Sequence, residues 1–139
     1  TVRGRPSVIY ADPPYTKDQY SRYYHLYETA LLYDYPSASG RGLYREGRLA
    51  SAFSGQRTVH AAFDELIRGC AQIGSDLIIS YPKNGLLEDS FRVIPELLRK
   101  HFKKIPQTIC IEHAHSTMGA SKGAGRQIVT EVLFRASKQ

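Results

Sequence analysis

A chain of 139 residues is long enough for one domain with a modest core. Its 42% hydrophobic content suits a globular rather than a disordered protein. No apolar run nears the ~20 residues of a membrane-spanning helix. The net charge of +6 favours an anionic partner without identifying one.

The charge is uneven. Residues 1–57 carry eight bases and five acids, residues 58–82 one and three, and residues 116–139 four and one. The start, Thr1 to Pro6, is charged but leads into no long apolar segment, so no secretory leader is expected. Cys70 and Cys110 lie forty positions apart and form no CxxC. Both are expected as buried free thiols, with a reducing, cytoplasmic setting as the default.

In chain order, residues 7–11 predict a strand, read from the apolar run Val8-Ile9-Tyr10-Ala11. It ends at Asp12-Pro13-Pro14-Tyr15, an acid and two prolines that make a rigid turn. Ser21 is the expected cap of a helix running to about Tyr35, stopped by Pro36. Residues 36–57 have no sustained period and contain four glycines, which predicts one long basic loop. Thr58 then caps a helix whose apolar stripe is Val59, Phe63, Leu66, Ile67, Cys70 and Ile73, with Gly74 as its stop. Asp76–Tyr81 predicts a short buried strand. Residues 88–102 predict a helix that Pro95 either starts anew or kinks. Thr108–His113 and Ile128–Phe134 predict strands joined through the turn-rich Gly119–Arg126. The order β-α-loop-α-β-α-β-β implies an α/β fold with parallel crossovers and a final antiparallel hairpin.

The turn at Asp12 carries the chemistry. Open α/β sheets place ligands at the carboxyl ends of their strands. An exocyclic amine such as adenine N6 is a poor nucleophile, because its lone pair is delocalised into the ring. The carboxylate of Asp12 and the carbonyl of Pro13 can each accept one N6 hydrogen and draw the nitrogen toward a tetrahedral geometry. Proline fixes where that carbonyl points. Tyr15 offers a flat face for an extruded base. The residue types therefore fit methyl transfer to an amino group.

The stretch from Val8 to Thr29 resembles the D12-class, Dam-like adenine-specific DNA methyltransferases, through Asp12-Pro13-Pro14-Tyr15 and then Gln19-Tyr20 and Tyr24-His25. The run Ile78 to Leu86, through Ser80-Tyr81-Pro82, resembles their next strand and loop. The resemblance implies the second half of a doubly wound, methyltransferase-type Rossmann-like sheet. It implies S-adenosylmethionine as cofactor, DNA as partner, and Asp12, Pro13, Pro14 and Tyr15 as the catalytic motif. Asp12 would also approach the cofactor.

Two family parts are absent: the cofactor-binding turn Phe-x-Gly-x-Gly, and a target-recognition region before the motif. Gly40-Arg41-Gly42 follows no strand and reads as a turn. The chain is therefore expected to be a single partial domain over 1–139, the carboxyl-terminal catalytic portion of a methyltransferase. An amino-terminal half or second chain would carry the glycine turn. A split enzyme, an inactive nucleic-acid-binding remnant and a cytosine N4 methylase stay open.

Eight of the ten tyrosines lie between Tyr10 and Tyr35. Tyr20 and Gln19 are candidates for contact with DNA, as is Tyr15; Tyr24, Tyr27 and Leu31 could instead form a helix face packed on the sheet, the reading favoured for Tyr27. Arg41, Arg45 and Arg48 in the long loop are candidate phosphate contacts or, equally by composition, a solubilising loop; the resemblance favours phosphate. Lys122 and Arg126 are weaker candidates, and no Walker loop is present. His113 and His115 face one way on a strand, but without a third ligand no metal site is expected.

Overall fold

The computed structural model describes Gly4 and residues 7–115 and 127–138. Its elements are β1 (Val8–Ala11), α1 (Tyr20–Leu32), β2 (Ala38–Ser39), β3 (Tyr44–Arg45), a 3-10 turn at Ala52–Ser54, α2 (Val59–Ile73), β4 (Asp76–Pro82), α3 (Ser90–His101), β5 (Gln107–His115) and β6 (Gln127–Ala136). The expected order is found, with a small antiparallel hairpin, β2–β3, inside the long loop. The turn expected at Gly119–Arg126, with Lys122 and Arg126, lies outside the described residues.

The main sheet has the order β1-β4-β6-β5. β1 runs parallel to β4, and β6 lies antiparallel to both β4 and β5. β4 and β5 therefore point the same way with β6 between them, and α3 makes the crossover. This is a mixed α/β fold. No helix among the described residues is long and apolar enough to cross a membrane.

The core lies on one face of the sheet. α2 contributes Val59, Phe63, Ile67 and Cys70, and α3 contributes Val93, Ile94, Leu97 and Leu98. Against them stand Leu77, Ile79 and Tyr81 of β4 and Val132, Phe134 and Ala136 of β6, alternate residues on one side of the pleat. Each large side chain fully buried here contributes about 1.5–3 kcal/mol. Phe53, Phe63 and Tyr81 stack edge to face in series, with ring centroids 5.1 Å apart at each step. α2 closes as expected: Gly74 is left-handed at φ 73°, and its N–H reaches the carbonyls of Cys70 and Ala71. Pro95 is buried within α3 and starts no new helix. Cys70 is buried, but Cys110, expected inside, is exposed on β5.

Among the described residues, the opposite face is left uncovered at its two outer strands. Val8 and Tyr10 of β1 and Ile109 and Ile111 of β5 stand there, from 42% to 61% exposed. α1 does not cover it. That helix has no buried residue, and it packs on the β2–β3 hairpin rather than on the sheet. The expectation that Tyr27 packs on the sheet is therefore corrected: Tyr27 is 67% and Leu31 87% exposed. α1 also starts at Tyr20, after Gln19, and ends at Leu32. Tyr33 at φ 50° turns the chain out of the helix before Pro36 is reached.

Candidate active site

Asp12, Pro13, Pro14 and Tyr15 leave the carboxyl end of β1, beside the equivalent end of its parallel neighbour β4. Pro13 is buried, Asp12 keeps solvent access, and the Tyr15 ring is part exposed. The turn is tied down from the next strand, because the Leu86 N–H donates to the Tyr15 carbonyl at 3.0 Å. The loop carrying Leu86 is itself fixed, since the Leu87 N–H donates to the buried Tyr81 hydroxyl at 3.0 Å. A Cβ on Gly85 would come within 2.4 Å of the Tyr81 ring, so only glycine lets this loop close over it. Tyr81 is thus a packing residue beneath the loop.

The electrostatics converge on Asp12. Partial loss of water, and then the negative charge of Glu131, hold its carboxyl above the usual carboxylate range. The Tyr20 hydroxyl is raised by burial first, and then by Asp12, Tyr15 and Tyr24. The structure thus gathers Asp12, Tyr15 and Tyr20. Tyr20, Tyr24 and Tyr27 continue as a ladder along α1, with neighbouring ring centroids 6.3 Å apart. The ladder borders an open recess of about 440 Å³ that also meets Leu31 and Leu49.

The other predicted residues are placed elsewhere. Gln19 accepts a hydrogen bond from the Ser51 N–H at 2.7 Å, and Ser21 donates to the Leu49 carbonyl at 2.8 Å. These bonds fasten the start of α1 to the long loop. Arg45 makes a two-point ion pair with Asp34, one contact being 2.6 Å, and its side chain is 16% exposed. Arg48 lies over the Tyr44 ring at 4.7 Å, and Arg22 lies at 5.1 Å from the same ring. His25 meets that ring edge-on at 5.1 Å. Arg41 is exposed at the hairpin tip. Gly40-Arg41-Gly42 forms this tip, and a Cβ at Gly42 would fall 2.4 Å from the Tyr44 ring. This glycine pair serves the hairpin and is not a cofactor turn.

Two polar residues beside the turn had little signal in the sequence. Ser80 stands in β4, next to Tyr81. Its buried hydroxyl donates to the Glu131 carboxylate across the β4–β6 pairing. The one mark of Glu131 in the sequence is that it is a lone acid inside the run Ile128 to Phe134.

Residues 1–72, from β1 through nearly all of α2, match the family described as D12 class N6 adenine-specific DNA methyltransferase. The chain belongs to this family. It is 35% identical over 102 residues to the type II methyltransferase M.FokI of Planomicrobium okeanokoites, covering 73% of this chain and 15% of that protein. It is 33% identical over 81 residues to the modification methylase LlaI of Lactococcus lactis subsp. lactis, covering 58% and 12%. The match thus spans about one seventh of these relatives' length. No solved structure matches the chain.

Within the D12 class, the described residues fit one end of the implied cofactor and not the other. Asp12 supplies an anionic group suited to a sulfonium. Among the described residues no strand is followed by Phe-x-Gly-x-Gly, and their one G-x-G, Gly40-Arg41-Gly42, is filled by Tyr44.

Proposed function

We propose that the chain forms the acceptor-binding part of an enzyme that methylates adenine N6 in DNA with S-adenosylmethionine, working within a larger or split protein. The observation that carries this is Asp12-Pro13-Pro14-Tyr15 at the carboxyl end of a parallel strand, inside the segment that matches the family. In this reading the sheet is the second half of a doubly wound, methyltransferase-type sheet. The bare face and the missing glycine turn both call for a further region, either an amino-terminal half or a second chain.

The cofactor supplies the electrophilic methyl group; this chain's residues prepare the acceptor. The target adenine stacks on Tyr15, with Tyr20 closing the side of the site. Asp12 and the Pro13 carbonyl each accept one N6 hydrogen, which localises the nitrogen lone pair. Asp12 need not take a full proton at the outset, because N6–H becomes acidic only as the nitrogen turns cationic. Of the loop arginines, Arg41 is the proposed phosphate contact, exposed at the hairpin tip, whereas Arg45 is engaged by Asp34 and Arg48 lies over the Tyr44 ring.

The test is Asp12→Ala in a form of the protein long enough to methylate DNA. We expect the single-turnover rate to fall ~10²–10⁴-fold, the usual effect of losing a positioned proton acceptor. DNA affinity should be nearly unchanged. A wild-type rate would remove Asp12 from the mechanism. A long form with no methylation and no cofactor binding, yet intact DNA affinity, would make the chain a binding remnant.

A further inference from the structure

We infer that a recess of about 310 Å³, beginning two residues past Tyr15 and lined by Lys17, Arg22 and Arg48 at the amino end of α1, is a phosphate pocket that seats a DNA phosphodiester next to the target adenine. This deepens the function proposed above and rests on DNA being the substrate.

The walls of the recess are fixed by the chain's own bonds. The Gln19 side chain accepts from the Ser51 N–H, and the Ser21 hydroxyl donates to the Leu49 carbonyl. These bonds hold the start of α1 against the segment that carries Arg48. Gln19 therefore gives α1 no side-chain cap, and no acid stands in the first turn. The positive end of a helix dipole without such a cap favours an anion.

Three bases line the recess against one acid, Asp18. Asp18 is already matched, because it accepts from Arg22 Nη1 at 2.6 Å and from the Tyr23 hydroxyl at 3.4 Å. Arg22 Nε donates to the Tyr44 hydroxyl at 3.1 Å, so neither bond uses its Nη2. Lys17 and Arg48 are left. Lys17 is exposed, and none of the ion pairs among the described residues uses it. Arg48 lies over the Tyr44 ring, a contact of the guanidinium face that keeps the N–H edge for an acceptor. Its Nη1 is buried and has no hydrogen-bond partner. A buried charged donor without a partner is costly, so this guanidinium calls for an anion that the described residues do not supply.

The position identifies the anion. Lys17 follows Tyr15 by two residues, at most about 7 Å of extended chain. The target base stacks on Tyr15 in the proposed function, so an anion beside Lys17 belongs to the backbone of the target nucleotide or of its immediate neighbour. A phosphodiester offers two free oxygens, which an ammonium and a guanidinium edge can share. Holding the backbone there fixes the nucleotide whose base has left the stack. The contact is separate from that of Arg41, which stands at the hairpin tip.

The experiment uses a form long enough to methylate DNA, and duplexes in which one phosphate at a time around the target adenine is replaced by an uncharged methylphosphonate. With wild type, we expect one replacement next to the target to weaken binding about tenfold, the loss of one charge-assisted contact. In K17Q/R48Q the same replacement should weaken it less than about twofold, because protein and DNA changes remove the same contact. The double variant should also lower the magnitude of the log–log salt slope by about 0.9. K17Q alone should show part of this coupling; its side chain is exposed, so that arm holds even if Arg48 is needed for folding.

Additive losses at every phosphate, in variants whose amide spectra are native, would overturn the inference. So would weaker S-adenosylmethionine binding with unchanged DNA affinity, which would give the recess to the cofactor's carboxylate. If Asp12→Ala leaves methylation intact while the coupling holds, the proposed role of Asp12 fails and the phosphate pocket stands. If Asp12 is essential and no phosphate couples to Lys17 or Arg48, only the pocket fails.

Discussion

The carboxyl of Asp12 titrates above its ordinary range because the surrounding turn removes water and Glu131 adds like charge, so ionising it is harder in the folded chain than in the unfolded one. Between the ordinary carboxylate pKa and the raised one, the folded chain holds more protons. Stability therefore falls as pH rises through that window and stays lower above it. We expect Asp12→Asn to melt at a higher temperature than wild type at pH 7, with the gap closing below the unfolded value of about 3.9. Calorimetric scans across pH would check this; a gap that widened toward acid would contradict it. Asp12 and its prolines were legible in the sequence because the motif is local: a strand, an acid and a fixed turn within eight residues. Glu131 was not legible. Its relation to Asp12 depends on β6 lying beside β4 rather than at the sheet edge, and pairing order is not written in the spacing of one strand.

At the scale of elements, the amphipathic pattern of α2 and the glycine at its end determined that helix, because its stripe meets a sheet. α1 shows where the same logic stops. Tyr20, Tyr24, Tyr27 and Leu31 recur at helical spacing, so periodicity predicts a buried face; nothing described covers it. The β2–β3 hairpin also escaped, since two-residue strands are too short to show alternation. Its discovery sorts the loop arginines. Arg45 braces the hairpin through Asp34, whereas Arg41 stands free at the tip. In a DNA-binding form, we expect Arg41→Ala to lower the magnitude of the log–log salt slope by about 0.9, one phosphate contact's share. Arg45→Ala should instead make the 36–57 segment cleave faster under limited proteolysis. If Arg45→Ala flattened the salt slope and left proteolysis unchanged, Arg45 would be a phosphate contact and not a strut.

At the scale of the whole molecule, the sequences of β1 and β4 disagree with their surroundings. Val8-Ile9-Tyr10-Ala11 and Leu77-Ile78-Ile79 are nearly continuous apolar runs, the pattern of strands covered on both faces. Among the described residues, helices cover only the face under α2 and α3. The other presents Val8, Tyr10, Ile109 and Ile111, and the outer edge of β1 has no partner within the described sheet. Exposed apolar faces and open strand edges promote association. We therefore expect this chain alone to bind an apolar dye and to self-associate as its concentration rises, measured by sedimentation velocity. Ile109→Lys with Ile111→Lys should reduce both, because the charges fall on the bare face and leave the α2–α3 core intact. A longer form that covers the face should lose the dye signal without any substitution. A monodisperse chain at high concentration with no dye binding would show that the bare face needs no cover, and would remove the main structural support for a larger or split enzyme.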